Sequence, residues 1–189
     1  MHDSALRTGH RFCDVYMRPG KIVVDLGGMD VNGSLRPYFE SKGISFISVD
    51  QSRHRSVDVV CKSGQRLPFD DNSIDAVVST SCFEHDPLFW LTFREMCRII
   101  KNHGFIYINA PSTGPYHGFP GDCWRFYKDA ANALAQWSGM EFEGRKYTMH
   151  VFESFHNSEP PWLDYVMVFR KMEGDGPHPR INRRIHKVR

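Results

Sequence analysis

The stretch Lys21–Phe39, KIVVDLGGMDVNGSLRPYF, constrains the chain most, because an apolar β-branched run ends in an acid and turns through paired glycines into an amphipathic segment. Ile22, Val23 and Val24 have the character of a strand buried on both faces. Gly27 and Gly28 follow where a tight turn brings backbone close to a ligand. Gly33 and Ser34 open a segment with Leu35, Tyr38 and Phe39 at helical spacing, so the amide N–H groups of that helix start are expected to face the same crevice. Glycines between a strand and a helix also serve as plain turn residues, so the stretch by itself leaves both readings open.

The rest of the chain repeats the pattern. Strands are expected at Ile44–Val49, Val57–Val60, Ile74–Ser79 and Phe105–Ile108, and again at Trp162–Phe169. Phe142, Tyr147, Met149, Val151 and Phe152 supply further strand material. Phe89, Phe93, Met96, Cys97 and Ile100 recur at helical spacing behind Asp86-Pro87, with a turn at Asn102-His103-Gly104, and Asp129–Trp137 reads as another helix. Alternation of strand and helix predicts a parallel sheet with crossover helices, whose ligands lie at the strands' C-terminal ends. Those ends carry Asp25, Asp50, Ser79 and Asn109. Asp50 comes after the glycine turn at the distance and position from which an acid accepts hydrogen bonds from ribose hydroxyls.

Composition narrows the function. With 24 Lys+Arg against 22 Asp+Glu, the net charge of +2 lacks the basic excess of a phosphate-gripping protein, which disfavours nucleic acid as a partner. The five cysteines are odd in number and without a CxxC pair, against a disulfide framework or a zinc site. No run approaches the roughly 20 apolar residues of a membrane span, and MHDSALRTGHRF lacks a signal-peptide core, so a soluble cytoplasmic protein, monomer or homodimer, is expected. Residues 1–20 read as a helix or lid, and residues 174–189, with Arg180, Arg183, Arg184, Lys187 and Arg189, as a basic tail.

One segment breaks the alternation. Residues 112–127, STGPYHGFPGDCWRFY, are too irregular for helix or strand and too aromatic for disorder, which marks a functional loop.

VVDLGG, SVDQS, LPFDDNSIDAVVS, FEHDP and REMCRIIKNHGFIYINAPS, in this order, resemble a class I S-adenosylmethionine-dependent methyltransferase of the methyltransferase type 11 kind, over roughly residues 20–170. A looser resemblance, in the DVNGS loop and the element His117–Tyr127, is to methyltransferases encoded beside glycosyltransferases. The resemblance implies a Rossmann-like, doubly wound α/β fold with a mostly parallel seven-stranded sheet and helices on both faces. It also implies a methyltransferase domain over residues 1–173, with S-adenosyl-L-methionine as cofactor and S-adenosyl-L-homocysteine as product. Carried onto this sequence, it implies that Asp25, Gly27 and Gly28 form the first cofactor loop. Asp50 and Gln51 border the ribose, Ser63 and Gly64 the adenine edge, and Ser79, or the residues just after it, the methyl-donor side, with Glu84 and His85 at the start of the following helix. Two departures stand out: GGMDVNG replaces the GxGxG spacing, and the usual adenine-side acid is missing before LPF.

For an acceptor hydroxyl a base is valuable, and imidazole suits that role near neutrality. Candidates are His117, His85, His150 and His156, with Asp122 as orienter or alternative base. Asn109, Tyr116, Trp124, Arg125 and Tyr127 are candidate acceptor contacts, the aromatics by stacking and Arg125 by a bidentate clasp of an anion. The aromatics also fit a satellite core beneath a long loop. No metal site is expected. The expected activity is O-methylation of a sugar or glycoconjugate hydroxyl. A natural-product or carboxylate acceptor, or a non-catalytic binding protein on the same fold, are the alternatives.

Overall fold

The computed structural model describes residues 3–141, 144–159 and 162–173. The expected basic tail and the side chain of Phe142 lie outside them. The elements run α1 (Asp3–Tyr16), β1 (Ile22–Leu26), α2 (Arg36–Ser41), β2 (Ser45–Asp50), β3 (Val59–Val60), β4 (Ile74–Thr80), α3 (Phe89–Ile99), β5 (Ile100–Pro111), α4 (Ala130–Ser138), β6 (Met149–Glu159) and β7 (Trp162–Lys171).

One seven-stranded sheet has the order β3-β2-β1-β4-β5-β7-β6. Strands β1 to β5 pair in parallel, and β7 is antiparallel to both β5 and β6. The chain leaves β1 toward β2 on one side and returns to β4 on the other, so the strand order reverses at the β1–β4 boundary. That switch point is where an open α/β sheet leaves a crevice. Each strand alternates its side chains between two cores. Val24, Val77, Ile106 and Met167 pack with α3 and α4 on one face, while Val23, Ala76, Tyr107 and Val166 pack with α1 and α2 on the other.

Helix α1 is tied down. Gly9 lies so near α2 that a Cβ there would come within 2.4 Å of the Leu35 side chain, and the Thr8 hydroxyl is 2.9 Å from the Tyr107 hydroxyl at the sheet surface. The expected turn at Asn102–Gly104 is instead absorbed into β5. Between Ile74↔Ile100 and Ala76↔Phe105, β5 advances five residues while β4 advances two, leaving a three-residue bulge. His103 takes a positive φ of 65° there, and Gly104 leaves room for the Asp75 and Lys101 carbonyls, 2.7 and 2.9 Å from where its Cβ would stand. The third strand shortens to Val59–Val60 because it lies at the sheet edge. Helix α2 is also short, and the Arg36 amide at its start is held by the Ser34 hydroxyl at 3.1 Å. It is too short to offer the expected cluster of helix N–H groups to a ligand.

Buried polar clamps fix the end of the sheet opposite the crevice. Arg98, 2% exposed, donates to the Leu67 and Phe69 carbonyls and to Glu95 and Asp71. It thereby locks the LPF loop onto α3. Lys171 donates to Asn72 Oδ1 and to the Cys97 and Ile100 carbonyls at 2.7–2.9 Å, joining β7 to α3 and the turn before β4. Removing one partner from such a network strands the others in low dielectric. Arg98→Ala is therefore expected to cost about 3–5 kcal/mol, read as a lowered urea midpoint with an unchanged m-value.

Candidate active site

The C-terminal ends of β1, β2, β4 and β5 carry the site. After β1, Gly27 adopts φ +78°, and a Cβ there would lie 2.5 Å from the Cys82 side chain. Only glycine lets the β1 turn close against the segment after β4. The Gly27 and Gly28 amides donate to the Val49 carbonyl at 2.9 and 3.1 Å, which bends the turn over the end of β2. Asp50, at the tip of β2, accepts from the Ser52 amide at 2.9 Å and the Met29 amide at 3.4 Å. Gln51 beside it is exposed.

The unusual run Met29–Asn32 has its own supports. The Asp30 amide donates to the Ser56 hydroxyl and the Asp30 carboxylate accepts from the Gly33 amide, each at 2.9 Å. Arg36 anchors the start of α2 by pairing with Asp58 and donating to the Ser48 hydroxyl. Asp25 is buried at the end of β1. Burial pushes its carboxyl up to about 8, with the Arg36 charge opposing and the Asp50 charge adding.

On the adenine side implied by the resemblance, Gly64 takes φ +74° and the Ser63 hydroxyl donates to Asp86. Asp86 also accepts from the Leu88 amide at 2.8 Å and the Thr92 hydroxyl. An acid from the β4–α3 connection thus stands beside Ser63, a contact that the helix-start signal of Asp86-Pro87 concealed. Ser79 is 1% exposed and its hydroxyl donates to the Leu26 carbonyl, so it joins two strands at the crevice end of the sheet.

Residues 112–127 form neither helix nor strand, yet they are fastened. The Cys123 and Trp124 amides both donate to the Glu84 carbonyl, and the Phe126 side chain enters the core against Phe83 and Phe89. The loop folds back because its apolar residues find a core and its amides find the β4–α3 turn. That places His117 beside Glu84 and His85. The Nε2 atoms of His85 and His117 lie 3.7 and 3.9 Å from Glu84 Oε1, and the two rings meet edge to face at 4.8 Å. Behind His117, its Nδ1 is 3.2 Å from Asp122 Oδ2, and Arg125 clasps both Asp122 oxygens. This guanidinium holds the Asp122 carboxyl well below its usual range. Burial, more than the nearby Asp164 and Asp122 charges, pushes Glu84 up to about 8. Burial also lowers the His85 imidazole, whose Nδ1 is 2.5 Å from the Gly121 carbonyl. Glu84, implied as a cofactor contact, thus stands with the two histidines, and the expectation of no metal-ligating cluster does not match this geometry.

The other candidates divide. Arg125 is engaged by Asp122 and by the Pro115 and Trp124 carbonyls, so it holds the loop and is not available to clasp an anion. Trp124 packs edge-on against Phe89 and Trp90 and donates to the Asp86 carbonyl. Tyr116 and Tyr127 stand exposed, at 77% and 66%. Asn109 is buried, with its amide 3.4 Å from the Thr8 hydroxyl and its Oδ1 without a hydrogen-bond partner among the described residues. His150, opposite Arg170 and thus in line with Phe105, lies far from the crevice end of the sheet, and His156, at the right end, lies on the edge strand and packs at a tilt against Tyr165. Two surface hollows, about 480 Å³ beside Asp71, Arg145 and Tyr147 and about 250 Å³ beside Cys13, Lys42 and Ile44, flank the start of β4 and of β2, away from this chemistry.

Asp25 gives a pH test. Its folded-state value lies above the unfolded one, so between about 4 and 8 unfolding releases its proton and stability falls as pH rises. Asn mimics the neutral acid. Asp25→Asn is expected to raise the melting temperature at pH 8 by about 4–8 °C, discounting the effect to ~2 kcal/mol, with the gain vanishing near pH 4. Scanning calorimetry across that range checks it.

Comparison with known proteins agrees with this geometry. Residues 28–108 match the family model described as a methyltransferase domain. An uncharacterized methyltransferase of Mycobacterium tuberculosis is 28% identical over 130 residues, covering 61% of this chain and 50% of that protein. The chain thus spans about half the length of the curated relatives it matches first. Among solved structures, Burkholderia thailandensis 1,6-didemethyltoxoflavin-N1-methyltransferase, with bound 1,6-didemethyltoxoflavin and S-adenosylhomocysteine, superposes with a TM-score of 0.69 at 17% identity, over 89% of this chain and 79% of that one. The [4+2]-cyclase SpnF superposes at 0.68 with 13% identity, over 89% and 81%. No helix among the described residues is long and apolar enough to cross a membrane. With the switch-point crevice, the β1 glycine turn and the β2 acid in place, the chain is similar to the class I S-adenosylmethionine-dependent methyltransferases in its fold and, over residues 28–108, in its sequence.

Proposed function

We propose that this chain transfers a methyl group from S-adenosylmethionine to a hydroxyl of a small acceptor, a sugar or glycoconjugate. The cofactor, when bound, supplies the methyl group on a sulfonium centre. Asp25 and the Gly27–Gly28 turn would hold its amino-acid end, Asp50 its ribose and the Ser63–Asp86 pair its adenine edge. The observation that carries the choice of a hydroxyl is the chain of contacts Arg125–Asp122–His117. Asp122 Oδ2 accepts from the His117 backbone amide at 2.9 Å and lies 3.2 Å from Nδ1, with Nε2 facing Glu84, which sets a carboxylate beside a candidate general base. A hydroxyl nucleophile needs such a group and a carboxylate does not. Arg125, being paired, also disfavours an anionic acceptor. Tyr116 and Tyr127 offer exposed rings on the same loop, suited to stacking on a sugar or on a flat natural product. The likeness to a cyclase on the same fold keeps a role without methyl transfer as the competing class.

With radiolabelled S-adenosylmethionine and a panel of monosaccharides, disaccharides and glycoconjugates, His117→Ala is expected to lower kcat by about 10²–10⁴-fold and to leave S-adenosylhomocysteine affinity unchanged by calorimetry. Full turnover in that variant contradicts the base assignment. Transfer to none of the panel contradicts the acceptor class.

A further inference from the structure

We infer that Glu84, His85 and His117 form a binding site for a divalent first-row transition-metal ion. One ligand atom from each lies within 4.8 Å of the others. Glu84 Oε1 is 3.7 Å from His85 Nε2 and 3.9 Å from His117 Nε2, too far for good hydrogen bonds. Metal bonds of ~2.0–2.1 Å in a tetrahedron place ligands roughly 3.3 Å apart. The observed spacings, 3.7 and 3.9 Å to Glu84 and within 4.8 Å overall, are wider than this, so binding would draw the side chains together, one of them on a loop.

Two further observations point to a cation. Glu84 is 1% exposed, and its Oε2 has no hydrogen-bond partner among the described residues. A buried carboxylate in that state is costly, and an ion relieves the cost. The outer contacts are those of ligating histidines. His85 directs Nδ1 at the Gly121 carbonyl, and His117 directs Nδ1 at Asp122, itself fixed by Arg125. In each ring Nε2 faces Glu84; the Gly121 carbonyl sets the tautomer of His85, and Asp122, held by the His117 backbone amide at 2.9 Å, lies 3.2 Å from the His117 Nδ1. Two imidazoles and one carboxylate suit zinc or iron(II) better than magnesium or calcium, and three protein ligands leave positions open.

The role of the ion rests on the methyl-transfer reading: with the ion bound, an open position would take the acceptor's hydroxyl oxygen and lower its pKa, which replaces the base role that His117 has in the ion-free site. The site itself does not depend on that reading. Calorimetry with Zn²⁺ on chelator-treated full-length protein is expected to show one tight site. His117→Ala and Glu84→Gln are each expected to lower its affinity at least ~100-fold, beyond the ~10–100-fold typical of outer-contact losses. Circular dichroism checks that both variants fold, and His103→Ala, at the β5 bulge, retains the site. Co²⁺ should give a visible ligand-field spectrum that Glu84→Gln abolishes. Absence of a one-to-one site, or one that survives both substitutions, overturns the inference. Methyl transfer at full rate in chelator with no Zn²⁺ site would sink the metal alone. A Zn²⁺ site without hydroxyl methylation would sink the functional reading alone.

Discussion

The closeness of the β1 turn to the segment after β4 is the constraint on which the site depends. Gly27 sits where any side chain would collide with Cys82. That contact pulls together the ends of the two central strands at the point where strand order reverses. Asp25 and Asp50 then share one crevice, and Cys82 leads directly into Glu84 and His85. A bulkier residue at position 27 would need a left-handed backbone and a displaced β4 segment together.

The molecule divides into a locked end and a functional end. At the locked end, Arg98 and Lys171 satisfy carbonyls and carboxylates that the LPF loop and the α3 terminus would otherwise bury unpaired. At the functional end, polar groups are left with capacity to spare: Glu84 and Asn109 each keep an unbonded buried oxygen among the described residues. Stability at one end permits electrostatic tension at the other, where burial above all drives Asp25 and Glu84 far from ordinary carboxylate behaviour.

Much of this is legible in the sequence, for physical reasons. β-branched runs such as Ile22–Val24 and Ile74–Ser79 are buried on both faces and read clearly, and the glycine turn and Asp50 emerge from local spacing. Other features are not legible. The β5 bulge looks like a turn because Asn-His-Gly is turn chemistry, whereas sheet pairing absorbs it. Asp86 looks only like a helix start, and its second contact, with Ser63, is set by tertiary packing. Arg125 looks like an anion clasp because its partner, Asp122, is three residues away on an irregular loop with no periodicity to predict the pairing. The cluster of Glu84, His85 and His117 escapes for a similar reason: no ligand-spacing rule spans two segments separated by α3 and β5.

The most direct test is a crystal structure with S-adenosylhomocysteine. Its ribose hydroxyls are expected on Asp50, its amino-acid end at the Gly27 turn near Asp25, and its sulfur directed toward the space bordered by Glu84, His85 and His117. A cofactor bound elsewhere, or with its sulfur turned away from that cluster, would contradict this placement.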